Sequence, residues 1–193
     1  MHNYLTEVGK LEKLRTAWLP AVEFLFGKPV EGIHFEGFDV LDELSKPTVL
    51  LSKKGELLSY KIQMPAKSFS NDVMLLADVI QEMVRGLSPI ENEGDKPLAL
   101  SEGVGVFGAI TAIKQVFGEG TVDSYLNALR EQAFAYYDAF SYVAVLLAED
   151  PEAIKKLRGV QPYLYKVTRA DFETAGVDVD RKMKDILLLS FRA

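Results

Sequence analysis

The stretch that decides the reading is Ile80 to Pro89, IQEMVRGLSP, followed after a polar loop by Leu100 to Phe107, LSEGVGVF. Gln81 and Arg85 are four residues apart, so on a helix they share one face, with Glu82 beside them. Leu76, Ile80, Met83, Val84 and Leu87 recur at helical spacing and supply an apolar side. Ser70 or Asn71 offers an N-cap, and Asp72 suits the positive end of the helix dipole. Gly86 and Ser88-Pro89 mark the end. The spacing thus predicts an amphipathic helix with a core face and a Gln-Glu-Arg face.

Working outward toward the N-terminus, Leu57 to Met64 (LLSYKIQM) alternates Leu58, Tyr60, Ile62 and Met64 with Ser59, Lys61 and Gln63. Such alternation predicts a strand with one packed and one polar face. It forms a hairpin with Thr48 to Ser52 across a KKGE turn. We expect Leu57 to Met64 to be the sheet-edge strand beside the helix that carries Glu82. Ile33, Phe35 and Val40 suggest an earlier strand, and residues 4 to 26 have a helix period that Pro20 is expected to kink or divide. On the other side, ENEGDKP (91 to 97) reads as a surface loop. A second helix spans about Leu98 to Phe117, and Thr121 is expected to cap a long helix to about Ala148. Asp150-Pro151 breaks it, a short helix follows, VQPYLY reads as a linker, and Asp180 to Ala193 is expected to be helical.

These elements make a helix-dominated α+β chain, read as one domain over 1–193. Residues 1–29 form an N-terminal helical segment, 30–66 the sheet, 70–150 the helical core and 151–193 a C-terminal helical elaboration. A length of 193 residues is enough to bury a core. There is no internal repeat.

Composition removes several chemistries. With no cysteine there is no disulfide, thiolate metal site or cysteine nucleophile. The net charge is −6 and basic residues are dispersed, so no nucleic-acid partner is expected. No run of 18 apolar residues occurs, so no membrane span is expected, and without a signal-peptide core the expected location is cytoplasmic. The histidines number two, His2 and His34, too few for a histidine-built zinc site. His34 reads as a structural strand residue.

Gln81-Glu82-Met83-Val84-Arg85 fits the frame of the zinc-peptidase motif H-E-x-x-H with both histidines replaced. Leu100-Ser101-Glu102-Gly103-Val104-Gly105-Val106-Phe107 resembles the gluzincin segment L-S-E-G-x-A-x-Y, which supplies the third metal ligand. Over roughly residues 30 to 150, motif order included, the chain resembles a gluzincin-type metallopeptidase domain. The resemblance implies a zincin-like α+β fold, with a small antiparallel or mixed sheet packed on the helix corresponding to the active-site helix. It puts Gln81 and Arg85 at vestigial ligand positions, Glu82 at the vestigial general-base position and Glu102 at the third-ligand position. Arginine is a permanent cation and glutamine a poor ligand, so no metal and no cofactor are expected.

The function implied is a catalytically inactive metallopeptidase-like protein that binds a peptide or protein in the vestigial cleft. Ser59, Lys61, Gln63, Glu82, Arg85, Glu102 and Tyr137 are the groove candidates. Arg85 is expected to pair with Glu102 and so to neutralise the carboxylate that a metal would have held. Two alternatives stand beside this. One is an enzyme using Glu82, Glu102 and Tyr137 or Tyr142 as a metal-free acid–base site. The other is a helical interaction protein without groove chemistry, in which Gln81, Glu82 and Arg85 form an ordinary solvated helix face. The aromatic run Phe134 to Val143 reads as a centrally packed helix, with a ligand groove or partner surface as the second reading. Gly103, Gly105 and Gly108 read as close helix packing, because no nucleotide-loop fingerprint accompanies them. Ser101 lacks a histidine partner for a triad.

Overall fold

A computed structural model describes residues 3–193; His2 lies outside the described residues. The chain is helix-dominated α+β. Helix α1 (Leu5–Phe26) leads into strands β1 (Ile33–Leu41), β2 (Thr48–Lys54) and β3 (Leu57–Pro65), then α2 (Asp72–Leu87) and α3 (Ala99–Phe117). Helices α4 (Glu119–Gln132), α5 (Phe134–Glu149), α6 (Ala153–Val160), α7 (Arg169–Ala175) and α8 (Arg181–Leu187) complete it.

The three-stranded sheet has the order β1-β3-β2. β3 runs parallel to β1, from Ile33 opposite Leu58 to Leu41 opposite Pro65. It runs antiparallel to β2 in a hairpin whose turn holds Gly55 at φ +65°, a left-handed conformation open to glycine. This corrects the expected edge: Leu57 to Met64 is the central strand, hydrogen-bonded on both sides, and β2 is the edge. Ser59 lies buried between His34 and Ser52, and Lys61 reaches Asp39 on β1.

Helix α2 starts as its sequence requires. The Asn71 side chain accepts from the backbone N–H groups of Val73 and Met74 at 2.9 and 3.0 Å. Its apolar side carries Leu75, Leu76, Val79, Ile80, Met83, Val84 and Leu87 into the core, each at most 4% exposed. Burial of each such side chain stabilises the fold by about 1.5–3 kcal/mol. Helix α3 lies between α2 and α5, and its glycines set how closely. A Cβ on Gly103 would meet the Ala139 carbonyl oxygen of α5 at 2.5 Å. One on Gly108 would meet Ile80 of α2 and Phe26 of α1 at 3.2 Å.

Two ends are tied together by one cation. Arg158 of α6 is 7% exposed and, among the described residues, has no carboxylate partner. Its guanidinium donates instead to three backbone carbonyls: Phe26 at the end of α1 (2.9 Å), Leu87 at the end of α2 (3.1 Å) and Pro162 (3.0 Å). Helix C-termini present unpaired carbonyls and partial negative charge, so a buried cation fits there. Burial pushes its pKa down to about 10, which still leaves it charged at neutral pH.

Three further expectations are corrected. Pro20 does not divide α1, which runs unbroken through it. Pro20 and Thr16, four residues earlier, are exposed, so the carbonyl that loses its helical donor faces water. The single helix expected from Thr121 to Ala148 is two, α4 and α5, broken at Ala133 (φ −147°, ψ 56°). The tail after α8 is extended: Ser190 bridges to Leu98, and Phe191 N–H donates to the Pro97 carbonyl at 2.8 Å.

Candidate functional site: a carboxylate–arginine cleft

The polar face of α2 looks into a cleft of about 650 Å³. Asp78, Glu82, Arg85 and Ser88 recur every three or four residues along that face, Gln81 lies beside Glu82, and all five line the cleft. The first turn of α3 adds Ser101 and Glu102, α4 adds Tyr125 and Leu129, and α5 adds Tyr136. The fourth side is the edge strand, through Thr48, Val49 and Leu51, with the preceding Lys46 and Pro47. Phe191 of the extended tail lies against Tyr136, ring centroids 4.8 Å apart.

Arg85 is the centre. Its Nε and Nη2 donate to the two oxygens of Glu102 at 3.3 and 2.6 Å, the two-pronged geometry that guanidinium and carboxylate planes permit. Its Nη1 donates to Glu82 Oε1, one turn earlier on the same helix. The Arg85–Glu102 pair expected from the sequence is therefore present. This is not a solvated helix face: Glu82 is 1% exposed and Glu102 8%.

Glu82 has only half of its carboxylate satisfied, since Oε2 is buried and without a hydrogen-bond partner. Burial raises its pKa; Arg85 pulls it back; the Glu102 and Asp78 charges push it up again, leaving it at about 7. Burial opposes the charge on Arg85, but the two carboxylates outweigh it and hold the guanidinium protonated. Burial also raises Asp78, one of whose oxygens accepts from Ser68 Oγ at 2.7 Å.

Gln81 donates its Nε2 to the Tyr125 hydroxyl at 3.2 Å. Burial raises the Tyr125 hydroxyl well above the usual tyrosine range. Tyr136 is raised by burial and by the Glu102 charge, against the Arg85 cation. Ser101 Oγ is taken up in its own helix start, accepting from Leu98 N–H and donating to Leu98 O, both at 2.9 Å.

The donor set does not suit a metal ion. The Gln81 amide is engaged with Tyr125, Arg85 is a cation, and both neighbouring carboxylates hold that cation. Among the described residues no group of three His, Cys, Asp or Glu side chains is arranged to hold one.

Of the groove candidates read from the sequence, Glu82, Arg85 and Glu102 come together, with Gln81 beside them. Ser59, Lys61, Gln63 and Tyr137 do not line this cleft. The first three sit on the central strand, and Tyr137 is one position past the residue that turns inward. Sequence reasoning missed Asp78, Tyr125, Tyr136 and the β2 residues. Asp78 was within reach, being four residues before Glu82 on the same face. Tyr136 was not, because the break at Ala133 resets the helix phase. Comparison with family models, with curated proteins and with solved structures finds no match to this chain.

Proposed function

We propose that this chain is a zincin-like, metal-free scaffold whose cleft holds an extended peptide or a segment of a partner protein without cleaving it. The observation that carries the reading is Arg85, half-buried between Glu82 and Glu102. It supplies a fixed positive charge where the gluzincin frame would put its metal. Activation of water by a metal is thereby lost from this scheme. What remains is a walled cleft with one unpaired strand edge, β2, along it. An extended chain can add to such an edge through backbone hydrogen bonds, with Leu51 and Val49 offering apolar contact.

The test is selection of peptides from a random displayed library on the purified protein, followed by amide hydrogen exchange with a selected peptide bound. Protection is expected at 48–51 and around 81–85. Protection confined to another face, or hydrolysis of unstructured protein substrates restored by added zinc, would overturn the reading.

One observation favours a second reading. A buried carboxyl with a pKa of about 7 and one unengaged oxygen is what a general acid–base requires. In that reading Glu82 moves the proton, Arg85 and Glu102 hold charge, and Tyr136 takes the place that Tyr137 or Tyr142 was expected to fill. Glu82→Gln separates the two: it abolishes turnover in an enzyme and leaves an edge-bound peptide in place on β2.

A further inference from the structure

We propose that the ligand of this cleft presents an ammonium group, and that the unengaged Oε2 of Glu82 is where the ammonium docks, with Asp78 one turn away; this rests on the peptide-holding reading. Three observations point the same way. First, the donors are already committed. Arg85 directs Nε and Nη2 to Glu102 and Nη1 to Glu82, so an incoming carboxylate or phosphate would have to displace a carboxylate already in place. Second, the acceptors are in excess. Asp78, Glu82 and Glu102 face the cleft against Arg85 and, at the rim, the exposed Lys46.

Third, one acceptor is orphaned. Glu82 is 1% exposed, its Oε2 has no donor, and the residue lines the cleft. A buried carboxylate oxygen without a partner is destabilising, and its natural complement is a charged N–H donor. An ammonium brings three donors on a compact head, enough to reach Oε2 while also satisfying Asp78. The route in is past Arg85, whose side chain is 29% exposed. Because the guanidinium is planar and rigid, turning Nη1 away from Glu82 gives up one of the two bonds to Glu102 and keeps the other. Tyr125, Tyr136 and Leu51 around the cavity would receive the apolar stem or backbone that carries the ammonium.

A peptide has two sources of this group, its amino terminus and a lysine side chain. Three probes separate them: Ala-Ala-Ala amide with a free amino terminus, acetyl-Ala-Lys-Ala amide, and acetyl-Ala-Ala-Ala amide as the uncharged reference. Binding is read from amide chemical-shift changes in the 15N-labelled full chain at pH 7.5. We expect one or both charged peptides to bind at least about tenfold more tightly than the reference, the size of one charge-assisted contact. We expect that preference to disappear in Glu82→Gln.

Equal binding of the reference overturns the ammonium inference and leaves the peptide-holding reading intact. So does binding of library-selected peptides with no response to either charged probe. Silence from the probes and the library alike overturns both. If Glu82→Gln does not fold, Asp78→Asn and a measurement on the unaltered chain at pH 5.5 take its place. Protonation of Glu82, which faces Asp78, Arg85, Glu102 and Tyr136, should there weaken the charged peptides and spare the reference. An unchanged preference in both overturns the proposal.

Discussion

Replacing Arg85 by methionine tests the centre of the cleft. The substitution removes both bonds to Glu102, at 3.3 and 2.6 Å, and the hydrogen bond to Glu82 Oε1. Breaking a fully buried ion pair costs about 3–5 kcal/mol, because a charge is left buried without a partner. Here the arginine side chain is 29% exposed while the glutamates are 1% and 10% exposed. Partial access of water lowers the expected loss to about 2–4 kcal/mol at pH 8.

The loss must also depend on pH, through Glu82. Its folded pKa of about 7 lies above its ordinary value of 4.5. Between those values the folded chain keeps a proton that the unfolded chain has released, so this group's contribution falls as pH rises through the window. Arg85 is the charge that lowers the Glu82 pKa. Without it the proton is held to still higher pH, and the ionised form is more strongly disfavoured. At pH 5 Glu82 is neutral with or without the arginine, so the loss is that of the Glu102 bonds and of one hydrogen bond to an uncharged carboxyl, about 1–2 kcal/mol.

The assay is urea unfolding followed by far-ultraviolet circular dichroism at pH 5 and pH 8, on the parent, Arg85→Met, Glu102→Gln and the double variant. In a chain of this size the pH 8 loss corresponds to a Tm lowered by roughly 4–16 °C. A penalty equal at the two pH values would refute the Glu82 argument. A penalty below about 0.5 kcal/mol, the size of an ordinary surface change, would refute the buried pair. Coupling near zero between positions 85 and 102 would refute the pairing alone.

Glu82→Gln should flatten the stability profile between about pH 4.5 and 7, since it removes the group that titrates there; an unchanged slope in urea titrations would assign it elsewhere. Gly103→Ala should destabilise by about 1–3 kcal/mol by overpacking against the α5 backbone, despite the better helix propensity of alanine. Gly105→Ala, whose added Cβ meets nothing closer than 3.8 Å, should be neutral or stabilising by up to about 1 kcal/mol. Equal effects at 103 and 105 in thermal melts would contradict the close approach of α3 and α5. Arg158→Met should cost at least about 3 kcal/mol, visible as a lowered urea midpoint, because three carbonyls lose a charged donor.

The sequence made α2 legible because everything that defines it is local. The cap at Asn71, the apolar spacing from Leu76 to Leu87 and the polar face at 81, 82 and 85 all lie within a few turns. The meeting of Arg85 with Glu102 was legible for a different reason: charge and planar shape leave few other solutions for such residues on facing helices. The position of β3 was not legible. Alternation along Leu57 to Met64 reports which face is packed, perpendicular to the sheet. Whether a strand is central or at the edge depends on backbone groups in the plane of the sheet, which side chains do not encode. The β2 wall of the cleft was missed for that reason. The inward turn of Tyr136 depended on a helix break at Ala133, a residue with no breaking tendency of its own. Nor does a run such as Lys155-Lys156-Leu157-Arg158 announce which of its cations goes inside.

Arg158 also sets a clock. The Phe26 carbonyl that it holds lies 132 residues earlier in the chain. During synthesis at about 5–20 residues per second, the end of α1 emerges roughly 7–26 s before the side chain that will tie it down. In that interval the ends of α1 and α2 lack the cation that joins their carbonyls, and the Val30 N–H, which donates to the Leu87 carbonyl at 2.8 Å, holds the junction without it. The junction of α1, α2 and α6 is thereby completed only in the C-terminal third, so a chain arrested before residue 158 should show faster amide exchange at the ends of α1 and α2 than the full chain.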